Sequence, residues 1–236
     1  MHIIGLTGTL LSFPPDRAEF TTIGHQYSFK WFGNPTFQTV NGIPTVLLNG
    51  VDQGAESDSD SYWSVGNGMT DDPFTLVVWL KPATDFVDGN VFGKYMIRGP
   101  QIREWLLQFE TADSVIGVIR DESSGGGYKP RWTGLPAKGT WWMLALTYDG
   151  GGTIGGMELW YQGQPVKSSE TDYNGYVAME NTAAPVTLGY SWLNGQPFGF
   201  FKGEIAGGPC GPIFTKKELS KGDLLSLYGL CSPYLN

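Results

Sequence analysis

The sequence predicts an all-β chain folded as a two-sheet antiparallel sandwich with one short helix near its C-terminus. Three observations carry that reading. Short runs rich in β-branched and aromatic residues recur along the chain, without the 3.6-residue periodicity of long helices. Pairs of Asn, Asp and Gly, which tolerate positive φ, separate them as hairpin turns. Apolar residues make up 41% and aromatic residues 14% of the 236 positions, enough side chain to fill a core between two sheets.

Taken in order, residues 1–40 are irregular in pattern and read either as an arm or as extra strands, and residues 41–236 read as the sandwich domain. All-β sandwiches of about 200–250 residues commonly form one unit, and no Pro- or Ser-rich linker divides this chain. The clearest strands are 74–80 (FTLVVWL), 104–109, 115–119, 141–148, 157–161, 186–190 and 198–205. Turn signals lie between them at Asp88-Gly89, 123–127, 149–152, Asn174-Gly175 and Asn194-Gly195. Near the end, Ser220 with Asp223 three residues on caps a helix that carries Leu224, Leu225, Leu227 and Tyr228 onto the sandwich, with Gly229 closing it.

The formal net charge of -8 repels phosphate backbones and anionic headgroups, so nucleic acid is not an expected partner. No run of about 18 apolar residues could insert into a membrane as a helix. The start, residues 1–13, has no Lys or Arg and is broken by Gly5, Thr7, Gly8 and Thr9, so no signal peptide is read there. Only two cysteines occur, Cys210 and Cys231. They read either as a disulfide closing a loop of about twenty residues, contributing about 3 kcal/mol, or as two buried reduced thiols, the reading favoured without an export signal.

Five segments in order resemble the laminin-G-like and pentraxin-like branch of the concanavalin A-like lectin/glucanase superfamily. They are PFTLVVWLKP at 73–82, GTWWMLALTY at 139–148, MELWYQGQPV at 157–166, Leu188-Gly189 with FKGEI at 201–205, and the closing Leu-Ser-x-x-acidic turn within 218–228. The resemblance covers about residues 45–229 and implies a jelly-roll sandwich. It also implies a family of modules that bind sugars, proteins and other ligands, with some glycosidase relatives.

Each candidate chemistry can be weighed on its residues. Laminarinase-like relatives set three carboxylates at alternate positions of one strand, and Glu56, Asp58 and Asp60 match that spacing. Their Gly- and Ser-rich surroundings predict an irregular loop instead, where Asp58 and Asp60, completed by Asp52 and backbone carbonyls, are candidate calcium ligands. The calcium cluster that the resemblance places after Leu188-Gly189 is missing, since Tyr190, Ser191, Trp192, Leu193 and Asn194 carry no carboxylate. His2 and His25, the only histidines, lie near no nucleophile motif, so no catalytic residue is assigned and the chain is expected not to be an enzyme.

Loop aromatics are the stronger signal, because sugar rings stack on Trp and Tyr while Asn and Asp take hydroxyls. Tyr190, Trp192 and Asn194 form one candidate ligand cluster. Asp172, Tyr173, Asn174 and Tyr176 form another, with Trp132 as a further contributor; the same rings also suit a core or a subunit interface. Two functions are therefore carried forward. The first is a structural or adhesive component of a virus particle, such as a capsid decoration, fibre or tail-associated protein of a phage. It would be made without a signal peptide, located in the virion, and assembled with itself or with capsid and tail subunits through residues 1–40. The alternative is an extracellular, lectin-type carbohydrate-binding module with glycan partners, and a glycoside hydrolase is a distant third.

Overall fold

The computed structural model describes residues 9–11, 19–23, 28–57, 61–97 and 102–235. In chain order the first strands are β1 (Thr9–Leu11), β2 (Glu19–Ile23), β3 (Ser28–Phe32), β4 (Thr36–Val40), β5 (Ile43–Asn49), β6 (Gly54–Ser57) and β7 (Phe74–Pro82). Next come β8 (Gly89–Ile97), β9 (Ile102–Thr111), β10 (Ser114–Arg120), β11 (Gly127–Thr133), β12 (Trp142–Tyr148) and β13 (Met157–Tyr161). The shorter β14 (Gln164–Pro165), β15 (Ser169–Asp172), β16 (Val186–Leu188), β17 (Ser191–Leu193), β18 (Gln196–Phe198), β19 (Lys202–Ala206) and β20 (Ile213–Thr215) follow, and then the helix α1 (Lys221–Leu235).

These strands make two antiparallel sheets packed as a sandwich. The first runs β14-β13-β12-β7, and the far edge of β7 is shared by β20 along Thr75 to Val77 and β19 along Leu80 to Pro82. From there β19 leads to β5 and β4, and β20 to β1. The second sheet runs β3-β6-β16-β8-β9-β10-β11-β15, while β2 pairs with both β1 and β3 and so links the layers. Among the described residues two pairings depart from the antiparallel rule: β17 lies parallel to the end of β8, and Asn90 forms an isolated parallel bridge with Phe200.

Side-chain alternation decides what each face meets. On β7, Phe74, Leu76, Val78 and Leu80 enter the core between the sheets, where they join Trp105, Leu107 and Phe109 of β9. Its alternate residues Val77 and Trp79 point the other way and are covered by Leu224, Leu227 and Leu235 of α1. Burial on both sides is why the sequence of β7 reads as an unbroken apolar run. Tyr228 stacks on Trp79 with the ring planes 8° apart.

The helix differs from expectation at its end, since it runs through Gly229 to Leu235. The expected cap is present, with the Asp223 carboxylate accepting from the Ser220 hydroxyl at 2.7 Å. Continuation past Gly229 brings Cys231 against the turn at Gly208–Cys210, and Cys210 and Cys231 are joined in a disulfide. The reduced-thiol reading is corrected accordingly.

Several strands lacked a sequence signal. Lys94 breaks the apolar pattern of β8, yet it is fully buried. Its ammonium donates to the carbonyls of Thr182 (2.7 Å) and Ala184 (2.8 Å) and lies 3.2 Å from the Glu104 carboxylate. Three acceptors for three N–H groups let the charge stay inside. Burial pushes the Glu104 carboxyl above its ordinary range, against the pull of Lys94 and the hydrogen bonds from Thr182 and Ser64. Residues 28–40, grouped with the irregular N-terminal stretch, form β3 and β4, and Phe29 and Trp31 enter the core. The strand expected at 198–205 is two, β18 and β19, separated at 199–201.

Candidate functional site

Among the described residues the outer face of the second sheet carries no helix, and its outward side chains differ from those of the first. Leu106, Ile116 and Val118 form a small apolar patch with Tyr95. Around it stand Gln108, Glu110, Arg103, Arg120, Lys129 and Arg131. Glu110 accepts from Lys129 at 3.0 Å and is ion-paired with Arg131, while Arg103 is paired with Glu122 and lies 5.9 Å from the Tyr95 ring.

At the end of this face where β8 begins lies a cleft of about 480 Å³. Its floor includes Asn90 and Gln108, which sit directly opposite each other in the β8–β9 ladder, with Glu110 beside them. One wall is the loop with Asp85, Val87 and Asp88; the other is the return of the β17–β18 hairpin, with Phe198 and Phe200. Asn194 (φ 52°) and Gly195 (φ 76°) make the hairpin turn, as their positive φ values allow. At its base Asn90 donates to the carbonyls of Phe198 (3.2 Å) and Gly199 (3.1 Å). A Cβ at position 199 would lie 2.2 Å from that amide, so only glycine permits the anchor. Phe198 itself is 52% exposed and Val87 61% exposed. Glu110 is held by Lys129 and Arg131, and Asp85 by Lys202, which also lines the cleft. These charged groups, with Gln108 and Asp88, beside an exposed ring suit a polar ligand that has an apolar face.

The aromatic residues singled out from sequence divide between interior and surface. Tyr190 is fully buried rather than ligand-facing, stacked on Phe200 at 5.8 Å and edge-on to Phe32 at 4.8 Å. Its hydroxyl donates to Glu56, and Trp192 Nε1 donates to the same carboxylate at 3.2 Å. Burial, with the Glu56 hydrogen bond and charge, drives the Tyr190 phenol far above its usual range and keeps it protonated. Glu56 is not in an irregular loop, because β6 threads between β3 and β16. Trp192 is half-buried, and Asn194 is exposed at the turn, its N–H donating to the Ile97 carbonyl at 2.7 Å.

In the second predicted cluster, Asp172 and Asn174 are exposed, and the Tyr173 ring lies 3.8 Å from the Arg120 guanidinium. Tyr176 is turned inward, its ring 4.7 Å from Tyr128 and its hydroxyl on Asp71. Asp71 also accepts from Tyr148 (2.9 Å) and from Met179 N–H (2.8 Å); burial nonetheless raises its carboxyl above the ordinary range. Trp132 packs on Tyr161 at 5.3 Å and on the core, four positions along β11 from Tyr128, the residue opposite Asp172. It does not join that cluster.

Of the calcium candidates, Asp52 accepts a hydrogen bond from Asn49 at 2.8 Å, and Asp58 and Asp60 lie outside the described residues, as do His2 and His25. Among the described residues no group of three or more His, Cys, Asp or Glu could hold a metal ion. No described helix is long and apolar enough to cross a membrane. Sequence reasoning missed Gln108, Glu110, Asp85, Asp88 and Phe198, because nothing local marks the ladder register and loop packing that bring them together.

The search of curated proteins found no match. Among solved structures, the binding domain of botulinum neurotoxin serotype D is similar at a TM-score of 0.64 and 12% identity, over 94% of this chain and 52% of that one. The chain thus spans about half the length of that domain. Domain 4 of AbnA, an extracellular arabinanase from Geobacillus stearothermophilus solved with arabinotriose, matches at 0.53 and 17% identity, over 94% of this chain and 99% of that one. The CBM40 of a Ruminococcus gnavus sialidase, solved with sialyllactose, matches at 0.52 and 17%, over 69% and 85%. These likenesses show the fold. A model of a concanavalin A-like lectin/glucanases superfamily family, of the laminin-G type, matches residues 50–207, and the chain belongs to that family.

Proposed function

We propose that this chain is a non-enzymatic carbohydrate-binding module whose ligand seats in the cleft on the outer face of the second sheet. The observation that carries this reading is the cleft itself, which the exposed Phe198 lines together with Gln108, Glu110, Asp85 and Asp88. A sugar presents an apolar ring face to an aromatic side chain and its hydroxyls to amides and carboxylates. That two structures of the same fold were solved with bound oligosaccharides supports the reading. Binding without catalysis is supported by Glu56, whose carboxylate is held by Tyr190 and Trp192. The Cys210–Cys231 bridge supports an extracellular setting, since disulfides persist in oxidising surroundings.

The test is a glycan-array screen of the purified chain with calcium and with chelator, repeated on Phe198→Ala. The expected result is oligosaccharide binding in both conditions, lost in the variant without a fall in Tm. Absence of binding, or binding indifferent to Phe198→Ala, overturns the proposal. Sedimentation of the same sample reads the particle-component expectation, which requires ordered self-assembly or docking through residues 1–40.

A further inference from the structure

Arg120 ends β10 on the same outer face as the cleft, and its surroundings are unusual for a half-buried cation. Arg103 and Arg131, the other described arginines, each have a carboxylate, on Glu122 and Glu110 respectively. Lys129 shares Glu110. Among the described residues Arg120 forms no ion pair, and its Nε is buried without a hydrogen-bond partner. One face of its guanidinium is covered by the Tyr173 ring at 3.8 Å. Such stacking fixes the guanidinium plane and leaves its in-plane N–H donors to be used by something else.

Two further facts tie this group to the cleft. Lys129 spans the gap, with its Nζ 3.0 Å from Glu110 at the cleft and 5.8 Å from the Tyr173 ring. The other cations of this face are matched by carboxylates, Arg103 by Glu122 and both Lys129 and Arg131 by Glu110, and Asp85 and Asp88 line the cleft, so Arg120 is the cation of this face left to meet an anion.

Resting on the carbohydrate-binding reading, we infer that the preferred ligand is an acidic glycan, whose carboxylate or sulfate is received by Arg120 on its Tyr173 platform while the neutral part lies in the cleft. A planar guanidinium held by stacking is pre-organised for an oxyanion, so little further ordering is needed on binding.

The experiment compares the affinity of the 236-residue chain for matched probes: an oligogalacturonide against its methyl ester, and a sulfated galactan fragment against its desulfated form. The inference expects at least a tenfold preference for the anionic member of one pair, weakening as salt rises, and a preference reduced to near unity in Arg120→Met, with Arg120→Lys restoring part of it. The first pair reports a carboxylate, the second a sulfate. Should Arg120→Met fail to fold, judged by its unfolding curve, the salt dependence and Tyr173→Ala carry the test. Equal affinity within both pairs, or a preference that survives Arg120→Met, overturns the acidic-glycan inference while leaving the carbohydrate reading in place. Failure of the wild-type chain to bind any probe or any array glycan overturns both.

Discussion

On the first sheet the outward side chains of β7, β12 and β13 include Val77, Trp79, Met143, Ala145 and Trp160, and α1 covers them with Leu224, Leu227 and Leu235. On the second sheet the outward residues of β9, β10 and β11 include Gln108, Glu110, Arg120, Lys129 and Arg131, and no described helix lies over them. Both faces belong to antiparallel sheets that share one core, so architecture alone does not decide which is closed. Side-chain chemistry does: five apolar residues on one face gain from a leucine-bearing helix, and the other face would have to strip water from charged groups to accept one. The covered face is therefore expected to report on stability and the open face on binding.

Substitutions can sharpen or break that contrast, and the largest effect is expected on the covered face. Trp79→Ala removes a ring that is 2% exposed and stacked on Tyr228, and should cost about 3–5 kcal/mol in denaturant unfolding. Reduction of the disulfide, or Cys231→Ser, should cost about 3 kcal/mol by freeing the loop between the cysteines. An unchanged Tm under reductant would show that α1 is held by packing alone.

A pH effect is expected where the loops frame the open face. Asp121 accepts from Ser123 Oγ (2.7 Å), Ser124 N–H (2.9 Å) and Val177 N–H (2.9 Å). Burial pushes its carboxyl upward, but these hydrogen bonds outweigh burial and hold it far below the ordinary range. A carboxyl depressed in the folded state adds stability above its unfolded pKa of about 3.9, and that stability is lost as pH falls toward the folded value. Asp121→Asn should accordingly be less stable than wild type at pH 7 and lose less on acidification from pH 5 to 2. Parallel acid curves for the two proteins would contradict this. The smallest stability change, within about 0.5 kcal/mol, is expected for Phe198→Ala on the open face, which should instead abolish glycan binding.

The contrast also explains what could be read from sequence. β7, β12 and β13 are apolar on both sides or alternate strictly, and the Ser220–Asp223 cap is local, so these elements are plain in the chain itself. The family is legible for the same reason, as its motifs sit on those strands. β8 is hidden because Lys94 and two glycines interrupt it, and its burial depends on the carbonyls of Thr182 and Ala184, far along the chain. The disulfide is hidden because the helix continues past a glycine that locally favours a stop. Tyr190 and Trp192 resemble surface aromatics until β6 brings Glu56 beneath them. The cleft is the least legible feature, being assembled from the 85–88 loop, the Asn90–Gln108 register and the return of the 196–198 strand.

The most direct test of the open face as the ligand surface is a titration of the labelled chain with the tightest oligosaccharide of the array screen, followed through backbone amide shifts. The account predicts saturable changes centred on Asn90, Gln108, Glu110 and residues 196–200, extending toward Arg120 and Tyr173 for an acidic sugar, with α1 silent. Changes centred on α1 and the first sheet, with the cleft residues unmoved, would contradict it.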